Sequence, residues 1–247
     1  MPAPVIETNK LTRKFGDFVA VDEITFEVMP GEIFGFLGAN GAGKTTAMRM
    51  LCGLLIPTSG SAKVGGYDVY RQNELIKKNI GYMSQKFSLY EDLTILENIR
   101  FFGGIYGLTN KLIKEKSSEL ISFLKLEREA KKLVKELPVG WKQKLAFAIA
   151  IIHQPKIVFL DEPTSGVDPL ARRQFWDLIY DASSRGITIF VTTHYMDEAE
   201  YCDRISMMVD GEIKALDSPS NLKKQFAAKS MDDVFYQLAR GAKRLAE

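Results

Sequence analysis

The residues Gly38-Ala39-Asn40-Gly41-Ala42-Gly43-Lys44-Thr45 place three glycines, a lysine and a hydroxyl at the spacing G-x-x-x-x-G-K-T. Each residue type there has a task in holding phosphate. The glycines reach backbone angles closed to other residues, so successive N–H groups can curl into a cradle for anionic oxygens. A helix starting at Lys44 adds the partial positive charge of its N-terminus. The Lys44 ammonium would then reach the β- and γ-phosphates of a nucleoside triphosphate, and the Thr45 hydroxyl would face a Mg²⁺ ion bridging them.

Other residues with chemical capacity fall at the ends of apolar runs. Lys156-Ile157-Val158-Phe159-Leu160 leads straight into the paired acids Asp161-Glu162. Two carboxylates at the mouth of a strand can divide labour, Asp161 toward a metal-bound water and Glu162 toward the attacking water as base or orienter. Gly186-Ile187-Thr188-Ile189-Phe190-Val191 ends in Thr192-Thr193-His194, which makes His194 a candidate for contact with a γ-phosphate. Ile80-Gly81-Tyr82-Met83-Ser84 ends at Gln85, whose amide oxygen suits Mg²⁺ or a water. Phe15 precedes the glycine-rich turn by enough chain to fold an aromatic ring over a purine, with Phe18 as a rival for that role. The remaining histidine, His153, sits at a helix end before Gln154-Pro155 and is expected to have no catalytic part.

These residues need a scaffold of strands that end side by side. Val5 to Phe15 and Val19 to Val28 read as an antiparallel pair turning at Gly16-Asp17, the second alternating in Ile24-Thr25-Phe26-Glu27-Val28. Ile33 to Leu37 is the strand before the phosphate turn. Ala62 to Val64 is a short strand, and Arg71 to Asn79 a polar helix. From Thr94 the pattern becomes helical, opening with the capping-box spacing Thr94-Ile95-Leu96-Glu97 and continuing through Lys111 to Leu126 and a charged stretch to Leu137. Its aromatics, Phe87, Tyr90, Phe101, Phe102 and Tyr106, either fill the core of a small lobe or line a groove for a partner helix. Another helix is expected from Leu137 to about His153, with Pro138 near its first position. Met196 to Tyr201 reads as a short helix, Ile205 to Val209 and Glu212 to Ala215 as strands, and Met231 to Leu245 as a C-terminal helix. The fold class is therefore α/β: a P-loop NTPase core with a mixed sheet flanked by helices, an N-terminal antiparallel β subdomain and an inserted helical subdomain. The expected division is residues 1–86 and 154–228 for the core and its β subdomain, 87–153 for the helices and 229–247 for the C-terminal helix.

Composition narrows the class further. With 33 basic and 31 acidic residues among 247, the formal charge is only +2, and no nucleic-acid partner is expected. The longest apolar runs, such as Leu145 to Ile152, fall far short of the roughly 20 residues that span a bilayer. The polar start, with Pro2 and Pro4, does not have the form of a secretion signal. Cys52 and Cys202 are widely separated, which suits a reducing compartment better than a disulfide framework.

Taken in order, Gly38 to Thr45, Gln85, Leu137 to Trp141, Ile157 to Glu162, Ser165 to Asp168 and His194 resemble the nucleotide-binding subunit of an ABC-type (ATP-binding cassette) transporter. The resemblance covers nearly the whole chain and is nearest to the ATPases of bacterial drug-type exporters with a separate permease. It implies ATP and Mg²⁺ as ligands, with Glu162, His194 and Gln85 in catalysis and Thr45, Gln85 and Asp161 toward the metal. It also implies nucleotide contacts from Phe15, from Gly38 through Ala39, Asn40, Gly41, Ala42, Gly43, Lys44 and Thr45 to Thr46, and from Val139 and Gly140. The expected partners are an integral-membrane permease, whose coupling helix enters a groove near Gln85, and a second ATPase subunit, as homodimer or heterodimer, that sandwiches two ATP molecules. The expected location is the cytoplasmic face of the plasma membrane.

One segment departs from the pattern: Leu137-Pro138-Val139-Gly140-Trp141 stands where the family has Leu-Ser-Gly-Gly-Gln, although Lys142-Gln143-Lys144 is family-like. In the usual form the serine hydroxyl and neighbouring N–H groups touch the γ-phosphate held by the opposite subunit. Pro138 lacks both a hydroxyl and an N–H, leaving the N–H groups of Val139, Gly140 and Trp141. A homodimer would then hydrolyse ATP slowly unless a permease holds it closed. The alternatives are a soluble cassette protein not tied to transport, half of a tandem-cassette protein, or a GTPase or small kinase. Against guanine selection, neither Asn9-Lys10 nor Asn110-Lys111 continues as Asn-Lys-x-Asp.

Overall fold

The computed structural model describes residues 2–85 and 89–240. Two sheets lie against each other. The first is antiparallel, in the order β2-β1-β4-β5, from β1 (Ile6–Phe15), β2 (Phe18–Val28), β4 (Ser59–Val64) and β5 (Tyr67–Asp68). The second has the order β10-β9-β3-β8-β7-β6, from β3 (Ile33–Leu37), β6 (Ile80–Met83), β7 (Ile157–Asp161), β8 (Thr188–Thr193), β9 (Arg204–Val209) and β10 (Glu212–Asp217). Its strands are parallel except for β10, which pairs antiparallel with β9.

Burial explains the two sequence patterns. Every residue of β3 and β7 is buried, as continuous apolar runs require when both faces of a parallel sheet are covered. In β2, Ile24, Phe26 and Val28 are buried while Thr25 and Glu27 are exposed, because only one face meets the core. Phe26 carries the antiparallel sheet onto the parallel one: its ring stacks on Phe34 at 5.4 Å and lies 5.7 Å from Phe36 and 6.1 Å from Phe190. Burying such a ring contributes roughly 2 kcal/mol, so this cluster fixes β2 beside the turn that follows β3.

The helices are α1 (Lys44–Leu51), α2 (Asn73–Asn79), α3 (Ile95–Ile105), α4 (Asn110–Phe123), α5 (Val139–Ala150), α6 (Pro169–Ser184), α7 (Pro219–Gln225) and α8 (Met231–Ala239). The capping box forms as the spacing implies: the Glu97 N–H donates to Thr94 Oγ1 at 3.2 Å, and Glu97 Oε2 accepts from the Thr94 N–H at 2.8 Å. The charged stretch before Leu137 is only a short 3₁₀ turn at Val134–Glu136. α5 begins two residues later than expected, with Pro138 as its N-cap rather than inside it, and ends at Ala150. Phe102 and Tyr106 pack into the same buried cluster as β7 and β8, so the inserted helices share the sheet's core instead of filling their own. Tyr90 and Phe101 remain half exposed with rings 4.7 Å apart, while Phe87 lies outside the described residues. The C-terminal helix is described to Ala239, and the expected continuation to Leu245 lies outside the described residues. Among the described residues no helix is long and apolar enough to cross a membrane.

Candidate functional site

β3, β6, β7 and β8 run parallel, so their C-terminal ends open on one edge of the sheet, where α/β folds place ligands. The turn from β3 into α1 wraps there. Gly43 is the N-cap of α1 with φ 109°, and a Cβ on it would meet the Ala20 carbonyl oxygen at 2.4 Å. A Cβ on Gly38 would meet the Met208 carbonyl oxygen at 2.3 Å. At both positions the backbone is pressed so closely that only glycine fits. No side chain caps α1, so its first N–H groups are left facing the loop.

Lys44 is buried and folded back. Its ammonium donates to the carbonyls of Gly38 at 2.8 Å and Ala39 at 3.1 Å, and lies 3.4 Å from Glu162 Oε1. Burial lowers its pKa, and the neighbouring Glu162 carboxylate works against that shift. Glu162 is the meeting point of the site. Its Oε2 accepts from Gln85 Nε2 at 3.0 Å and from His194 Nδ1 at 3.1 Å. Because a carboxylate only accepts, His194 carries a proton on Nδ1 in this arrangement. Glu162 takes φ 47°, and its N–H is held by Thr192 through the carbonyl at 3.1 Å and the hydroxyl at 3.0 Å. A left-handed turn costs a non-glycine residue about 1 kcal/mol, and here it swings the acid from the end of β7 toward Lys44.

Asp161, the last residue of β7, points its Oδ1 at the hydroxyls of Thr45 at 3.2 Å and Thr192 at 2.7 Å. Thr192 was absent from the expected residues. Its role depends on the pairing of β7 with β8, which sets Asp161 opposite Thr192. A carboxylate, a hydroxyl and an amide oxygen make a hard, all-oxygen donor set of the kind Mg²⁺ takes alongside phosphate oxygens. Thr45, Asp161 and Gln85 therefore fit that ion.

A cavity of about 410 Å³ opens in front of these groups, lined by Phe18, Ala20, Asn40, Gly41, Gly43, Lys44, Thr45, Thr46, Gln85 and Glu162. Gly38, Ala39 and Ala42 shape the loop from behind; the Ala39 carbonyl also accepts from the Ala42 N–H at 3.2 Å. The two candidate rings for the base sit differently. Phe18 lines the cavity and Phe15 does not, although the two pair across the hairpin end. The Arg13 guanidinium lies 4.5 Å over one face of the Phe15 ring.

The segment at Leu137 to Trp141 stands apart from this cavity. α5 also starts without a side-chain cap, at Pro138. The Trp141 N–H, expected to face outward, instead donates to the Pro138 carbonyl at 3.0 Å, which leaves the N–H groups of Val139 and Gly140. A Cβ on Gly140 would meet that of Ala171 at 2.9 Å, so α5 lies close against α6. Asp168 caps α6, accepting from the Ala171 N–H at 2.9 Å. His153 is no loose helix end: its Nε2 donates to the Ile80 carbonyl at 3.1 Å and its ring stacks on Tyr106 at 3.8 Å. Burial holds this imidazole below its usual pKa.

A cradle of backbone N–H groups, a buried lysine and carboxylates at adjoining strand ends define a P-loop nucleotide-binding domain. Residues 21–165 match the ABC transporter family. The chain is 50% identical over 239 residues to the probable multidrug ABC transporter ATP-binding protein YbhF of Escherichia coli (strain K12), covering 95% of this chain and 41% of that protein. This chain thus spans about two fifths of that relative's length. It is 38% identical over 223 residues to the Nod factor export ATP-binding protein I of Paraburkholderia xenovorans (strain LB400), covering 90% of this chain and 73% of that one. A solved ATP-binding subunit of an ABC transporter superposes with a TM-score of 0.85 at 27% identity, covering 95% of this chain and 99% of the other. The chain belongs to the ABC transporter family and is an ATP-binding ATPase domain of it.

Proposed function

We propose that this chain binds ATP with Mg²⁺ at the cavity before Lys44, hydrolyses it in a sandwich with a second cassette, and so drives export through a separate permease at the cytoplasmic face of the membrane. The observation that carries the reading is the meeting of Lys44, Gln85 and His194 on the Glu162 carboxylate, at 3.4, 3.0 and 3.1 Å. The names of relatives that export drugs or Nod factor support the direction of transport.

Lys44 is paired with Glu162 and donates to the loop carbonyls of Gly38 and Ala39. A triphosphate offers Lys44 a higher negative charge at the same place, and the lysine's transfer to it frees Glu162. Phe18 presents a ring to the base, and the N–H groups at the start of α1, from Gly43 to Thr45, face the phosphates. Thr45, Asp161 and Gln85 would hold Mg²⁺, which when bound offsets charge on the β- and γ-phosphates. Glu162 then orients a water and takes its proton as the water oxygen bonds to the γ-phosphorus and the bond to the ADP oxygen breaks. His194, held on Glu162, is placed to donate toward the γ-phosphoryl oxygens.

The second cassette is required because Val139 and Gly140 lie away from this chain's own cavity and would serve the neighbour's nucleotide. With Pro138 contributing neither hydroxyl nor N–H, a pair of identical chains would close weakly. The half-exposed Tyr90, in the loop before α3, and Phe101, on α3, suit the apolar face of a permease helix. We take residues 87–153 as the lobe that receives it and 229–247 as a C-terminal appendage. Glu162→Gln tests the reading: ATP affinity should stay within about twofold while turnover falls roughly 10²- to 10⁴-fold. Wild-type turnover in that variant would refute the assignment.

A further inference from the structure

Behind His194 a closed circuit of contacts begins and ends at Glu162. Two residues after Glu162, the Thr164 hydroxyl, fully buried, donates to Glu198 Oε1 at 2.5 Å. Glu198 is itself 0% exposed, and the same Oε1 lies 3.7 Å from Arg172 Nε on α6. The Arg172 guanidinium also reaches Asp197 at 3.5 Å and lies 4.1 Å over the Tyr195 ring. Tyr195 packs against His194, ring centres 4.2 Å apart, and His194 returns to Glu162 at 3.1 Å. The loop after β7, the start of α6 and the segment after β8 are thus joined through side chains.

The circuit is incompletely satisfied. Among the described residues, Arg172 Nε and Glu198 Oε2 are buried without a hydrogen-bond partner, although they belong to neighbouring groups of opposite charge. Buried ionic groups normally fill their hydrogen bonds. A gap of 3.7 Å is about an ångström beyond a charge-assisted bond, so a small movement of α6 or of the 163–168 loop would close it. Arg172 lies against Tyr195 and Tyr195 against the imidazole, so such a shift would be felt along that line of contacts.

We propose that Arg172, Glu198 and Thr164 are positioning residues for hydrolysis: Arg172, held by Glu198 and Thr164, presses Tyr195 onto His194 and sets the imidazole against Glu162. The loop after β7 and the histidine then move together. This rests on the reading of Glu162 and His194 given above, and it goes beyond it by assigning the control of His194 to residues outside the nucleotide cavity.

The test compares single-turnover ATP hydrolysis and nucleotide affinity in the full chain for Arg172→Ala, His194→Ala, the double variant and Arg172→Lys. Arg172→Ala should slow turnover on the order of tenfold with affinity unchanged, since misplacing one group costs rate and not binding. In the His194→Ala background the same substitution should add nothing, because residues acting through one group are not additive. Arg172→Lys keeps a cation beside Glu198 and Asp197 but loses the flat face over Tyr195, so it should also slow turnover while melting like wild type. Wild-type turnover in Arg172→Ala or in Arg172→Lys, or an undiminished further loss in the His194→Ala background, would overturn the proposal. Wild-type turnover in His194→Ala alone would instead remove the underlying reading of His194.

Discussion

α1 and α5 begin without a side-chain cap, as does the short α2, whereas α3, α4, α6, α7 and α8 are capped by Thr94, Thr109, Asp168, Ser218 and Ser230. A missing cap costs a helix about 1 kcal/mol, so an uncapped start is tolerable where another group takes the orphan N–H bonds. The two starts differ in what surrounds them. α1 is enclosed by its own chain, with glycine where contact is closest, a buried lysine and an acid reaching over from β7. α5 has an exposed valine, a glycine held against α6 and a proline, with Lys142 turned aside to Glu91 at 2.7 Å. On the proposed reading, one anion site is complete within the chain and the other serves a neighbour's nucleotide.

The widest test of that contrast is Lys44→Ala, which removes the cation from the enclosed site. ATP affinity should fall roughly 10- to 100-fold, in line with about 1.5–3 kcal/mol for a charged hydrogen bond, as read by isothermal titration. Undiminished affinity would mean that the loop backbone alone does the binding. At the open site, Pro138→Ser, Val139→Gly and Trp141→Gln together should raise basal turnover about tenfold by strengthening closure on the neighbour's nucleotide. No gain would show that the five-residue segment is not what limits closure.

Phe18→Ala should weaken ATP binding by a few fold, near the 0.5–1.5 kcal/mol of an aromatic contact, while Phe15→Ala should leave it unchanged. The reverse order would return the stacking role to Phe15. The smallest effect concerns stability. His153 is folded with its pKa lowered by burial, so the unfolded chain binds more protons as pH falls below the usual histidine range. The contribution of neutral His153 is therefore present above about pH 6.5 and declines below it. His153→Phe should flatten the loss of melting temperature on the acid side, and an unchanged slope would place that loss elsewhere.

What the sequence made legible follows from the range of each interaction. The phosphate turn and the capping box are set by neighbours in the chain, and both form as their spacing implies. Glu162 and His194 were legible because each ends an apolar run, and parallel strands end together. Contacts that depend on packing were not. Phe15 and Phe18 pair across one hairpin end, but Phe18 lines the cavity while Arg13 covers Phe15, and Thr164 meets Glu198 across 34 residues. The Trp141 N–H could be traced only once α5 was seen to open with a bond back to Pro138. His153 read as idle because its partners, Tyr106 and Ile80, belong to other elements.

The folded-back lysine has an internal counter-ion in Glu162. On the proposed reading, nucleotide arrival is an exchange of one anion for another around a cation only 4% exposed, so dissolved salt has little to displace at that point. The affinity of this pocket should resist rising ionic strength better than the formal charge of a triphosphate would suggest.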